Sequence, residues 1–258
     1  MSQAIGSAID HGDKREIWGV LGGMGPLASA EFMNTIYEQN AKGREQHSPI
    51  VFLFSDPTIP DRTDSFANGG EDILFNRLLS SIEILVLAGA TRIIICCMTI
   101  HPLLSKLPKV LREKIVSLAD VIFARILQSE AKHLLICTDG TRKMRLFENH
   151  PLWPETRHRI VLPDAGDQES IHRLIYEIKG NEYSTSHWQL VEALMKKYGV
   201  SSYIAGCTEL HVLAKKQSRL CGQGWSDCCI DPLTLIASTM PRSSIDLSRE
   251  ALQHALAK

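Results

Sequence analysis

Short runs of β-branched and apolar residues alternate along this chain with longer stretches of helical periodicity, and that alternation is the strongest constraint on its fold. Strand-like runs occur at Ile17–Leu21, Ile50–Phe54, Arg92–Cys96, His133–Cys137, Arg159–Leu162 and Ser202–Ala205. Between them, Ala28–Ala41, Asp72–Ala88, Ala119–Ser129, Gln168–Ile178 and His187–Tyr198 carry apolar residues at three- and four-residue spacing, the repeat of a helix with one buried face. Strands that alternate with helices predict βαβ units, and so an α/β fold whose parallel sheets are covered by helices on both faces.

With 258 residues, 44% of them hydrophobic, the chain can bury a full core as one large domain or two smaller ones. No Pro/Gly/Ser-rich linker divides it, and the polar, proline-marked stretch Lys106–Ser117 is the expected crossover between halves. Its 28 basic residues nearly balance 29 acidic ones, so it lacks the electrostatic footprint that binding to nucleic acid or an anionic membrane requires. A small, locally recognised ligand is expected instead. No apolar run approaches the ~20 residues that span a bilayer. The first sixteen residues, MSQAIGSAIDHGDKRE, read as a polar tail without the apolar stretch of a secretory signal. Seven cysteines, odd in number and mostly set in apolar runs, fit a reducing cytoplasm better than a disulfide framework.

Two of these cysteines stand out by position. In IIICCMTIHPLL (Ile93–Leu104) a strand runs straight into Cys96 and Cys97. Placed over CTELHVLA (Cys207–Ala214), the segment from Cys97 matches a cysteine, a histidine four residues on and a leucine six residues on, and each copy follows a strand. This echo suggests two similar α/β halves, each presenting a cysteine at the carboxyl end of a strand, where open α/β sheets place their ligands. A thiol at a strand-to-helix turn lies near unpaired backbone N–H groups and the positive end of the helix dipole, which stabilise a thiolate. Facing each other across a cleft, Cys97 and Cys207 would invert a stereocentre: one removes a proton from carbon as thiolate, the other delivers one to the opposite face. Two buried structural cysteines fit the same spacing. His101 and His211 are either bases for a hydrolytic thiol or supporting groups one helical turn away, and the spacing favours support. Cys96 alternates away from Cys97 toward the core. Cys221, Cys228 and Cys229 match no zinc spacing, so no metal is expected.

Other segments supply anion-binding chemistry. WGVLGGMGPLASAEF reads as strand, glycine turn and helix, with Pro26 suited to the first helical turn. Gly23, Gly25 and Ala28 nearly satisfy a dinucleotide fingerprint, but the acidic residue at the end of the second strand, Asp56, lies too far on, so the turn suits a carboxylate better than a nucleotide. In the loop SDPTIPDRTDSF, Arg62 offers bidentate carboxylate recognition or is an exposed turn residue. Lys179, ending IHRLIYEIK, is a second cation or a complement to the helix dipole.

Together LGGMGPLAS (Leu21–Ser29), IPDRT (Ile59–Thr63), C-x-T-x-H (Cys97–His101), TDGT (Thr138–Thr141), IKG (Ile178–Gly180) and GCTEL (Gly206–Leu210) resemble the aspartate/glutamate racemase family, more closely its aspartate racemase branch. They occur in the family's order and span nearly the whole chain. The resemblance implies two pseudo-symmetric Rossmann-like three-layer domains, 1–113 plus a returning 226–258, and 114–225, with the active site in the cleft between them. It implies a racemase that needs no cofactor and interconverts L- and D-aspartate, or glutamate, with Cys97 and Cys207 as the catalytic thiols. Arg62 and Lys179 then contact the substrate carboxylates, Thr99 and Thr208 help bind substrate beside the cysteines, Gly23, Met24 and Gly25 line the pocket, and Met98 and Thr138 complete it. The implied partners are a small dicarboxylic amino acid and a second copy of the chain as a homodimer. Maleate-type isomerisation or arylmalonate-type decarboxylation belongs to the same superfamily, and a non-catalytic amino-acid-binding relative is the alternative from another class. Two positions depart from the pattern. Met98 replaces a common Asn, removing a hydrogen-bonding group, and Asp56 stands where related loops often carry Asn, bringing negative charge toward an anionic ligand.

Overall fold

A computed structural model of the protein describes residues 16–41, 45–221 and 228–240. Its first half runs β1 (Ile17–Gly22), α1 (Pro26–Asn40), β2 (Ile50–Ser55), α2 (Arg62–Ala67), α3 (Glu71–Leu87), β3 (Arg92–Ile95), α4 (Lys109–Arg112) and β4 (Ile115–Val116). Then α5 (Leu118–Leu127) leads to β5 (His133–Ile136), α6 (Asp139–Lys143), α7 (Trp153–Thr156), β6 (Ile160–Val161), α8 (Ala165–Lys179), α9 (Thr185–Lys197), β7 (Ser202–Ala205), α10 (Glu209–Cys221), β8 (Cys229–Ile230) and α11 (Pro232–Thr239). The strands form two parallel four-stranded sheets of the same order, β2-β1-β3-β4 and β6-β5-β7-β8. That repeated order is the pseudo-symmetry behind the cysteine echo.

Central strands buried on both faces need unbroken apolar runs rather than alternation. Ile93–Ile95 and Leu134–Ile136 are such runs, and all six residues are fully buried. On one face of the first sheet, Leu21, Ile93 and Ile95 pack on Leu74, Leu78, Ile82 and Leu85 of α3. On the other, Trp18, Val20 and Ile94 meet Phe32 and Ile36 of α1, Phe123 of α5 and Leu233 of α11. The same cluster continues into the second sheet through Leu135, Cys137 and Ile204, so the two halves share one core. Each such side chain contributes about 1.5–3 kcal/mol by leaving water.

The crossover between halves lies at α5, beyond the expected Lys106–Ser117, because Ile115–Val116 first adds β4 to the first sheet. Likewise β8 pairs with β7. By sheet membership Ile115–Val116 lies with the first half and Cys229–Ile230 with the second, and α11 packs on α1 and α5. Two-residue strands are too short to display a pattern in sequence. Residues 1–15, nearly all of the polar tail, and 241–258, the end of the returning segment, lie outside the described residues, as does the Cys221 side chain. Among the described residues, no helix is long and apolar enough to cross a membrane.

Candidate active site

Cys97 follows β3, the third strand of its sheet in order, and Cys207 follows β7, its equivalent. Their surroundings differ. No α-helix begins at Cys97, contrary to the expected strand-to-helix turn. Pro102 has no N–H to extend an α-helical ladder, and the chain closes instead by short bonds, His101 N to Met98 O and Leu103 N to Ile100 O, into a 3₁₀ turn at His101–Lys106. The charge beside Cys97 is that of the Arg62 guanidinium. Cys96 joins the shared core, on the opposite side from Cys97.

His101 is a support for this turn. Its Nδ1–H donates to the Cys97 carbonyl at 2.8 Å and its Nε2 accepts from the Leu118 N–H at 3.2 Å, which assigns the tautomer and leaves neither nitrogen for the thiol. Burial pushes its pKa down to about 4, so it stays neutral. His211 is likewise enclosed, with Nδ1 2.6 Å from Asp231 Oδ2 and Nε2 3.0 Å from Thr35 Oγ1. Both histidines hold elements together rather than acting on sulfur.

Cys207 sits two residues before the start of α10 at Glu209, and its thiol donates to Glu209 Oε2 at 2.8 Å. Burial and then the Glu209 charge push this thiol well above the ordinary value, against the opposing pull of Lys179. Glu209 is 2% exposed, and its other oxygen, Oε1, has no hydrogen-bond partner. Glu209 is the principal site residue that sequence reasoning passed over. The signal was present: in the echo it stands over Thr99, so both halves place a polar side chain two residues past the cysteine.

Arg62 opens α2 behind its cap, Asp61, whose carboxylate accepts from Asp64 N. It is 6% exposed, not an exposed turn residue, and donates to Met24 O at 2.7 Å and Pro60 O at 3.1 Å. Its Nε is buried without a partner. Lys179 ends α8 with its ammonium 4.1 Å above the Tyr176 ring and 3.8 Å from Asp61 Oδ2. Burial opposes the charge of Arg62 and of Lys179. Cys97, Asp61 and Glu209 outweigh burial at the first, Cys207 and Glu209 at the second, and both cations end above their ordinary values.

The glycine turn after β1 completes this wall. Gly23 has φ +91°, and a Cβ there would lie 2.3 Å from the Asp56 backbone. One at Gly25 would lie 2.7 Å from Glu209 Oε1. Asp56 brings no free charge: its carboxylate accepts from Thr58 N and Oγ1 and pairs with Arg77, and these bonds, Thr58's first, hold its pKa below the usual value. Met98 points into the shared core, 1% exposed, with Trp18 and Phe32 in the same cluster. Its thioether fills space there, so the site loses no side-chain contact that this position supplies.

Loops at the carboxyl ends of the two sheets meet each other. Thr208 Oγ1 donates to Cys96 O at 3.2 Å. The hydroxyls of Thr99, Thr138 and Thr141 form a triangle with edges of 3.0, 3.1 and 3.2 Å, in which each can donate once and accept once. The structure thus brings together Cys97, Cys207, Arg62, Lys179, Gly23, Gly25, Thr99, Thr138 and Thr208, and adds Glu209, Asp61, Thr141 and Tyr176. Among the described residues, no group of three or more His, Cys, Asp or Glu side chains can hold a metal ion.

Two parallel α/β halves of one topology, each placing a buried thiol just past its third strand, define an internally duplicated α/β class. A model of the family described as Asp/Glu/Hydantoin racemase matches residues 21–240, and the chain belongs to that family. Among solved structures, an aspartate racemase from Picrophilus torridus superposes with a TM-score of 0.72 at 20% identity, covering 92% of this chain and 99% of the other. A glutamate racemase from Campylobacter jejuni covers 93% and 96% at 16% identity, TM-score 0.56. An allantoin racemase from Klebsiella pneumoniae covers 88% and 86% at 14% identity, TM-score 0.54. At these identities the likeness is one of fold, and the named substrates of the three differ.

Proposed function

We propose that the protein is an amino-acid racemase that interconverts L- and D-aspartate, and less readily glutamate, by a thiolate/thiol pair without pyridoxal phosphate. The observation that carries this reading is the different charge beside each thiol. The Arg62 guanidinium lies beside Cys97, whereas the Cys207 thiol donates to Glu209 Oε2, and burial together with the Glu209 charge favours its protonated form. In the direction that starts with this pair, the Cys97 thiolate takes the Cα proton and Cys207 delivers its own to the opposite face, leaving Cys97 protonated and Cys207 ionised. The reverse direction restores the first state. As Cα loses its proton, negative charge spreads into the adjacent carboxylate, and Arg62 and Lys179 are the cations available to stabilise it. Two buried cations suit a substrate with two carboxylates. Glu209 Oε1, a buried acceptor lacking a donor, suits the substrate ammonium.

Binding of aspartate without Cα exchange would favour the alternative of a non-catalytic amino-acid-binding relative. Incubation of L- and D-aspartate with the protein in deuterated water, without added cofactor, tests the proposal: Cα deuterium and loss of chirality are expected from either enantiomer. Conversion of maleate to fumarate, or release of carbon dioxide from an arylmalonate, with no exchange on aspartate would favour the isomerase or decarboxylase reading. Cys97→Ser and Cys207→Ser should each lower racemisation by about 10²–10⁴-fold, and full activity in either would sink the two-thiol mechanism.

A reducing cytoplasm is the proposed compartment, supported by the six described cysteines, none of which is in a disulfide. A homodimer is the proposed assembly, supported by Ile50, Phe52 and Leu53, exposed on the free edge strand β2. Sedimentation of the full chain as a monomer at micromolar concentration would count against it.

A further inference from the structure

The thiol pair is sealed: Cys97 is 4% and Cys207 3% exposed, and Arg62, Thr99, Thr208 and Glu209 beside them are equally buried, with the partly exposed Lys179 and Asp61 reaching toward solvent. A dicarboxylic amino acid reaches them only if the facing loops part. At the outer end of that contact stands Asp61. Its Oδ1 accepts from the Tyr176 hydroxyl at 2.8 Å, a bond from the first half to α8 of the second, and its Oδ2 lies 3.8 Å from Lys179 Nζ. The same carboxylate caps α2 through Asp64 N, beside Arg62. One acidic group therefore touches the elements that carry both substrate-facing cations.

Tyr176 is built to hold Asp61 in place. Its ring lies under the Lys179 ammonium at 4.1 Å and against His172 at 4.4 Å between centroids, and His172 Nδ1 accepts from Asp139 N at the start of α6. Burial above all, with Asp61 adding to it, pushes its pKa up to about 12, so the hydroxyl keeps its proton and remains a donor.

We propose that Tyr176 and Asp61 form a clasp across the mouth of the cleft, closed by the hydroxyl-to-carboxylate hydrogen bond, which must open to admit substrate and which, when closed, positions Lys179. In the closed, unliganded protein Asp61 stands in for the substrate carboxylate at Lys179. An arriving carboxylate replaces it at the ammonium, while the Tyr176 bond keeps Asp61 from following. Both residues are positioning residues: neither touches the reacting carbon.

The role of the clasp in admitting substrate rests on the racemase reading, but its opening is measurable without any substrate. The rate at which iodoacetamide labels each cysteine of the full chain, read by peptide mass spectrometry, reports the fraction of molecules with the cleft open, with Cys96 and Cys137 as buried controls. A hydroxyl bonded to a carboxylate is among the stronger neutral-donor hydrogen bonds, so Tyr176→Phe should raise labelling of both Cys97 and Cys207 at least about tenfold. Asp61→Asn, which keeps an acceptor but not the charge, should fall between wild type and Tyr176→Phe. The controls should stay unlabelled in all three. Rates in Tyr176→Phe equal to wild type would overturn the clasp, and so would a parallel rise at Cys96 and Cys137, which reports general loosening. Where racemisation is found, Tyr176→Phe should raise KM more than it lowers kcat. If no racemisation is found, the labelling series still decides the clasp.

Discussion

At the two thiols, chemistry depends on which side chain stands within bonding distance. Cys97 has a guanidinium beside it and Cys207 a carboxylate, an asymmetry that the matched C-x-x-x-H spacing conceals. Removing the Glu209 charge removes one of the causes that raise the Cys207 thiol. Glu209→Gln should therefore move the pH midpoint of Cys207 alkylation downward, while racemisation falls because the proton donor is less often protonated. An unchanged or upward midpoint, followed by labelling against pH, would refute Glu209 as the group that keeps Cys207 protonated. Arg62 and Lys179 were legible in the sequence as charges at chain turns. Glu209 was not, because an acid in a first helical turn has an ordinary reason to be there.

Among the elements, α2 and α6 press the two halves together beside the threonine triangle. Their approach depends on Gly140, where a Cβ would lie 2.7 Å from Thr63 Oγ1 and 2.8 Å from Thr99 Cγ2. Gly140→Ala should destabilise the protein by about 1–3 kcal/mol through overpacking and spread the cleft, seen as a lower denaturation midpoint together with faster Cys97 labelling. Normal stability and labelling would show that α6 shifts without consequence. The long helices were readable because Leu74, Leu78, Ile82 and Leu85 keep the helical repeat across α3. The 3₁₀ turn after Cys97 was not, since Pro102 says only that an ordinary ladder is interrupted.

Across the whole molecule, a shared core ties both halves and buries His101 in neutral form. Its folded pKa of about 4 lies below the unfolded value of 6.5, so the unfolded chain binds the extra proton. Stability is then full above pH 6.5 and falls as pH drops from 6.5 toward 4, by on the order of 3 kcal/mol from this residue. Asp231, held below its usual value chiefly by His211 against the cost of burial, loses stability in the same direction at lower pH. Thermal denaturation between pH 7.5 and 4.5 should show the decline. A flat profile over that range would contradict the buried, neutral assignment of His101.

The sequence by itself determined the parallel α/β class, the doubled architecture and the two cysteines, because strand and helix periodicity and a repeated motif are local and survive in one dimension. Only the tertiary structure decided what surrounds each thiol. Arg62 is 35 residues from Cys97 in the chain, and the two meet because β2 and β3 end on the same side of one parallel sheet; Asp61 is 115 from Tyr176, and they meet because loops at the carboxyl ends of two sheets face each other. The same packing turned Met98 into the core and tied Asp56 to Arg77. The chemistry of both departures was visible in the sequence, but the direction each side chain takes is a property of the fold.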